Sequence, residues 1–139
     1  MAIRNSLIGA KDATQIYKDF DLSFARNLNT NDVARKVDVQ AVKQSLKNLL
    51  RTSYYEKPFN PTYGSPIPTL LFEPCDTTTA NLLANEVRVC IENFEPRVRV
   101  EEVIVRAQPD QNSFSAKVTF HVIGIESFQE LDIVLERLR

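Results

Sequence analysis

Two acidic residues of this chain each stand directly before a proline, as Glu73-Pro74 and Glu95-Pro96. A pair of carboxylates is the minimum set for glycoside cleavage, one giving a proton and the other serving as nucleophile or base. Such a site also needs a deep cleft with aromatic platforms for the sugar, and the sequence has no tryptophan. Glu73 reads equally well as a capping or salt-bridging acid at the end of a loop. Glu95 reads equally well as a partner for Arg97, Arg99 or a neighbouring chain. His121 is the single histidine and falls on the polar parity of a strand, where a surface residue is expected rather than a base. Neither a Gly-x-Ser-x-Gly elbow nor a phosphate-binding glycine loop occurs. Cys75 and Cys90, with one distant histidine, make a poor zinc set. The expectation is therefore no catalytic residue, no metal and no cofactor. Arg97 is different in kind. Its planar fork suits bidentate recognition of a carboxylate, or of carbonyls across an interface. The local alternative is an ion pair with Glu95 or Glu101.

The elements around Glu95 explain why this corner would be rigid. Pro96 has no amide hydrogen and clashes with a preceding helical turn, and it biases Glu95 towards an extended conformation. A helix over Thr77 to Phe94, capped by Asp76, must stop there. Its stripe is Leu83, Val87, Cys90, Ile91 and Phe94. A strand follows with Val98, Val100 and Ile104 on one parity and Val103 and Val105 on the other. That change predicts a bulge near Glu101-Glu102 or a strand buried on both faces.

Earlier in the chain, Ile16, Phe20, Leu22 and Phe24 alternate with polar residues, which predicts a strand with one buried face. Asn27 to Asp32 is a turn cluster. Asp38 to about Tyr54 reads as a helix with Val39, Val42, Leu46, Leu49 and Leu50 as its apolar stripe. Its other face carries Lys43, Lys47 and Arg51, and reads as a solvated surface rather than a nucleic-acid contact. Between Glu56 and Pro74 lie five of the seven prolines, mixed with Phe59, Tyr63, Ile67, Leu70, Leu71 and Phe72. A disordered linker lacks such residues, so a long ordered Pro-rich loop is expected, with a short helical turn at Thr69 to Phe72. Gln108 to Ser113 is a hairpin connection. Phe114 to Val122 alternates cleanly, Gly124 ends that strand, and Phe128 to Leu138 gives a last strand with Leu131, Ile133 and Leu135 on one parity. The fold class that satisfies these stripes is α+β, a small, mainly antiparallel sheet covered on one face by two helices. Terminal strands are candidates for sheet edges, which can accept a strand from another chain.

The chain has 139 residues, 43% of them hydrophobic and 25% charged, with a net charge of -1. These values suit one ordinary domain of 14–139, preceded by a polar N-terminal arm, 1–13. The balanced charge gives no general reason to bind nucleic acid or an acidic membrane, and no apolar run approaches the ~20 residues of a membrane span. Met1 to Ala13 lacks the apolar core of a signal peptide, so assembly in the cytoplasm where the chain is made is expected. Two cysteines without a secretion signal argue for free thiols.

The Glu95-Pro96-Arg97 corner resembles the signature of a phage baseplate wedge family, whose members initiate the sheath of contractile tails and have a counterpart in type VI secretion baseplates. Pro58-Phe59-Asn60-Pro61, Gly64-Ser65 and Leu70-Leu71-Phe72-Glu73-Pro74 also match that family, as do Tyr17 to Arg26 and Ala41 to Leu50, all in the family's order. The resemblance implies a structural baseplate wedge subunit in the virion. It implies that Glu95, Pro96 and Arg97 contact the core bundle of partner wedge proteins. It further implies that the domain templates the tail sheath, with Leu131, Ile133 and Leu135 on the strand that engages it, or the edge Asp19 to Arg26 in its place. Other wedge proteins and the sheath protein are the implied partners, and the tail tube is a further candidate. Members have carried a lysozyme label, and a peptidoglycan-cleaving enzyme is the alternative reading. A sheet-edge adaptor outside any tail is another.

Overall fold

Alternation and turn chemistry compete over the first stretch of the computed structural model, which describes residues 17–136. The expected arm, 1–13, lies outside the described residues. Strand β1 covers only Lys18–Phe20, and it pairs antiparallel with β2, Arg35–Val37. The longer strand expected through Phe24 does not form. Asp21 ends it, because its carboxylate accepts from the Ser23 amide at 3.0 Å and its carbonyl from the Phe24 amide at 3.0 Å. The chain therefore turns, and Phe20, Leu22 and Phe24 stand exposed instead of lining one buried face. An Arg26–Val33 bridge continues the hairpin, and the asparagine-rich segment forms its tip, with Asn31 left-handed at φ 62°. Lys36 and Asp21 form an ion pair at 3.3 Å across it. This hairpin belongs to a compact unit ending at Ala41, and a second unit runs from Val42.

The second unit holds a three-stranded antiparallel sheet of β3 (Val98–Gln108), β4 (Ser113–Val122) and β5 (Phe128–Glu136), in the order β3-β4-β5. Helix α1 spans Asp38–Arg51, α2 Ile67–Leu70 and α3 Thr77–Phe94. The two long helices bury the stripes that their spacing predicts. Val42, Leu46, Leu49 and Leu50 of α1 and Leu83, Val87, Cys90 and Ile91 of α3 are buried, with Phe114, Val118 and Phe120 of the central strand. Asp76 caps α3, its carboxylate accepting from the Thr79 amide at 2.7 Å. Those backbone bonds hold the Asp76 carboxyl below its ordinary value.

The parity change in β3 is a bulge. Val100 faces Phe120 and Glu102 faces Thr119, so Glu101 is the extra residue. Beyond it Val103, Val105 and Ala107 take the inward positions. A short 3-10 turn, Pro109–Gln111, then leads into β4 through Asn112 at φ 48°. Gly124, at φ 93°, sits in the turn closed by the Ile125 amide on the Val122 carbonyl at 3.0 Å. Its left-handed backbone is one that glycine adopts without strain. The proline-rich segment is tied to the end of α1. The Ser65 amide donates to the Thr52 carbonyl at 2.9 Å, and the Ser65 hydroxyl to the Leu50 carbonyl at 3.3 Å. Gly64 fits there at φ 137° because its Cα lies against the Thr52-Ser53 backbone; an added Cβ would stand 2.6 Å from the Ser53 carbonyl oxygen.

Candidate functional site

The corner after α3 is built by its proline. The Glu95 amide makes the last helical bond, to Ile91 at 2.9 Å. The Val98 amide then closes a turn onto the Glu95 carbonyl at 3.2 Å, with Pro96 exposed at its second position. The Ile123 amide donates to the Arg97 carbonyl at 2.9 Å, which fastens the corner to the far end of β4. Glu95 itself is only 4% exposed. Its Oε1 accepts from Arg97 Nε at 2.6 Å, and its Oε2 accepts from Arg97 Nη2 at 2.8 Å. The same Oε2 also accepts from the hydroxyl of Ser45, on α1, at 2.6 Å. Burial alone pushes the Glu95 carboxyl up, but the hydrogen bonds from Arg97 and Ser45 and the arginine charge outweigh it, and the carboxyl stays below its ordinary value.

The Tyr63 ring packs edge-on against Phe94 at 5.3 Å between centroids, and Lys57 Nζ lies 4.0 Å above that ring. Burial, followed by the charge of Glu95, raises the Tyr63 phenol. The corner therefore joins three parts of the chain: α1, the proline-rich segment and the α3–β3 junction. Of the three motif residues, Pro96 is exposed, Arg97 is partly exposed and Glu95 is interior. Ser45 was not singled out by its sequence context. It lies between the apolar stripe and the basic face of α1, and its partner is 50 residues away.

The strand expected to engage the sheath is β5. Leu131, Ile133 and Leu135 point into the core at 4, 3 and 4% exposure, opposite Val118, Ala116 and Phe114 of β4. Asp132, Val134 and Glu136 face solvent. Among the described residues β5 pairs with β4 alone, which leaves it as one edge of the sheet. A groove of about 1190 Å³ runs along that edge, floored by Leu50, Ile67 and Leu71 and flanked by Tyr54 and Phe72.

Glu73 is exposed at the end of the α2 segment. His121 is half-buried on β4, edge-on to Phe128 at 6.0 Å. Cys75 and Cys90 are both free thiols. Cys90 donates weakly to the Gly64 carbonyl at 3.5 Å, and burial pushes its thiol up to about 12. Among the described residues no three His, Cys, Asp or Glu side chains are grouped to hold a metal ion, and no helix is long and apolar enough to cross a membrane.

A family model described as baseplate wedge protein gp25 matches residues 36–126, which is more than half of the chain. The chain is 28% identical over 109 residues to the baseplate wedge protein gp25 of Enterobacteria phage T4, a match covering 78% of this chain and 82% of that one. Three solved structures share the fold. A chain of the anti-feeding prophage baseplate aligns with a TM-score of 0.67 at 22% identity, over 80% of this chain and 89% of that one. A Geobacter sulfurreducens protein that carries the name tail lysozyme aligns with a TM-score of 0.64 at 21% identity, over 72% of this chain and 91% of that one. A chain of the type VI secretion system baseplate complex aligns with a TM-score of 0.62 at 20% identity, over 73% of this chain and 94% of that one.

Proposed function

This chain belongs to the baseplate wedge protein gp25 family, and we propose that it works there as a docking and templating subunit rather than as an enzyme. Membership makes it a wedge subunit in the baseplate of a contractile injection machine, assembled with other baseplate proteins. The finer reading is that Glu95, Pro96 and Arg97 seat it on the core bundle of its partner wedge proteins. The observation that carries this is the rigid corner itself. Pro96 is exposed beside a guanidinium whose Nε and Nη2 are fixed on a buried carboxylate. A preformed arginine loses less side-chain freedom on binding than a mobile one. In this arrangement Glu95 acts through Arg97, and Pro96 and Arg97 meet the partner.

The same geometry speaks against a lysozyme role. A general acid of a glycosidase needs a raised carboxyl value, and Arg97 and Ser45 hold Glu95 down. The other reading, peptidoglycan cleavage, has the name of one structural relative in its favour.

For the sheath, β5 is the strand we assign. Its inward residues Leu131, Ile133 and Leu135 anchor it to its own sheet, and its outer edge can pair with a strand of the sheath protein. We assign the tail tube as a further candidate neighbour and the host cytoplasm as the place of assembly.

Arg97→Ala is expected to fold with an unchanged circular dichroism spectrum and yet enter baseplates poorly. Where the partner groups become buried, the loss is about 2–5 kcal/mol of docking energy. Quantifying the chain in purified particles tests this, and normal incorporation of the folded variant would remove the corner from the interface.

A further inference from the structure

We propose that Ser45 is a positioning residue for docking: its hydroxyl locks the Glu95 carboxylate, and through it the Arg97 fork, in one orientation relative to α1. The inference rests on the reading that Arg97 meets the partner.

Serine in the interior of a helix is a weak helix former, because its hydroxyl competes for backbone groups. The hydroxyl of Ser45 is instead directed out of α1, to Glu95 Oε2 at 2.6 Å. Glu95 and Arg97 are only two residues apart on one turn, and the Ile123 amide fastens the backbone of that turn but not the two side chains. Two bonds from Arg97 fix the guanidinium on the carboxylate. The Ser45 bond adds a side-chain tether to that carboxylate from a different helix. Hydrogen bonds to an ionised acceptor are the stronger kind, and this acceptor is buried. Among the described residues, the charged and titratable groups that interact with Glu95 are Arg97, just before β3, and Tyr63 of the proline-rich segment. The Tyr63 phenol is raised and stays neutral in acid. The Glu95 carboxyl carbon is therefore the signal to follow through acid.

The test has two readouts on the full chain. The first is NMR of the Arg97 Nε–H resonance and of the Glu95 carboxyl carbon across the acid range. In Ser45→Ala the Nε–H proton is expected to exchange faster with water, and Glu95 to titrate at higher pH than in the wild type. Ser45→Thr keeps a hydroxyl and restores both. The second is co-purification with the wedge proteins expressed beside it, where Ser45→Ala weakens capture about tenfold and Ser45→Thr recovers it. If the Arg97 and Glu95 signals are the same in Ser45→Ala and wild type, the positioning role is wrong, whatever docking does. If the signals change and capture does not, while Arg97→Ala abolishes capture, the lock is not needed for docking and the inference fails. If neither Ser45→Ala nor Arg97→Ala affects capture, the docking reading itself fails and takes this inference with it.

Discussion

Glu95 is useful to the fold only while it is ionised. Burial favours its protonated form, yet the hydrogen bonds from Arg97 and Ser45 and the arginine charge place its folded value below the unfolded one. A depressed carboxyl contributes stability that is complete above the unfolded value and is lost as pH falls through the folded value. Denaturant titrations from pH 7 down through the acid range should therefore show the wild type losing part of its stability below the ordinary carboxylate range. Glu95→Gln should lack that part. Its cost at neutral pH should be about 1–3 kcal/mol, because it leaves Arg97 and Ser45 with a weaker acceptor. Identical acid profiles for the two proteins would mean that Glu95 does not titrate with folding. The motif was visible in the sequence because Pro96 must end the helix before it and its acid and base match the family's Glu-Pro-Arg signature. Its interior was not. A serine 50 residues upstream carries no mark of its partner until α1 is laid against the α3–β3 turn.

Among the elements, those governed by local rules were the readable ones. The α3 limits follow from Asp76 at one end and Pro96 at the other, and the helix runs from Thr77 to Phe94 as expected. The β3 bulge follows from a parity change in its valines. The hairpin β1–β2 was misread because its apolar alternation outlasts the strand. One residue, Asp21, captures the Ser23 amide on its carboxylate and the Phe24 amide on its carbonyl and turns the chain, and β2 has only three residues and no alternation to announce it. The short helix α2 begins at Ile67, ahead of the expected Thr69, since Pro66 and Pro68 are compatible with the first turn of a helix. The proline-rich segment is expected to be the most sensitive to one small change. Gly64→Ala places a methyl group 2.6 Å from the Ser53 carbonyl oxygen at a backbone angle that alanine disfavours. A loss of roughly 2–4 kcal/mol by chemical denaturation is expected, and a loss below about half a kcal/mol, the usual surface value, would show that the Thr52-Ser53 backbone can move aside.

For the molecule as a whole, the question is whether one sheet can serve both its own core and a neighbour. The sequence showed Leu131, Ile133 and Leu135 as one parity of a last strand, but parity alone does not say which chain's core they enter. In the structure they enter their own. Removing the strand would therefore unfold the second unit and would say nothing about the sheath. A substitution on the solvent face separates the two roles. Val134 is 51% exposed and lies along the β5 groove. Val134→Lys should change stability by no more than about 0.5 kcal/mol, while its charge discourages pairing at an edge. Electron micrographs should then show baseplates containing the variant but fewer sheathed tails. Full sheathing by such particles would exclude this edge as the template.

The buried Cys90 thiol makes the chain its own stopwatch. At neutral pH almost none of it is thiolate, and its Sγ rests on the Gly64 carbonyl beneath the proline-rich segment. Alkylating reagents react with the thiolate, so Cys90 can be trapped only in the moments when α3 lifts from that segment. With enough reagent, the trapping rate counts those openings. Run on the isolated chain and again on intact particles, the count would give, in seconds, how much longer a wedge keeps this joint shut once it has been built in.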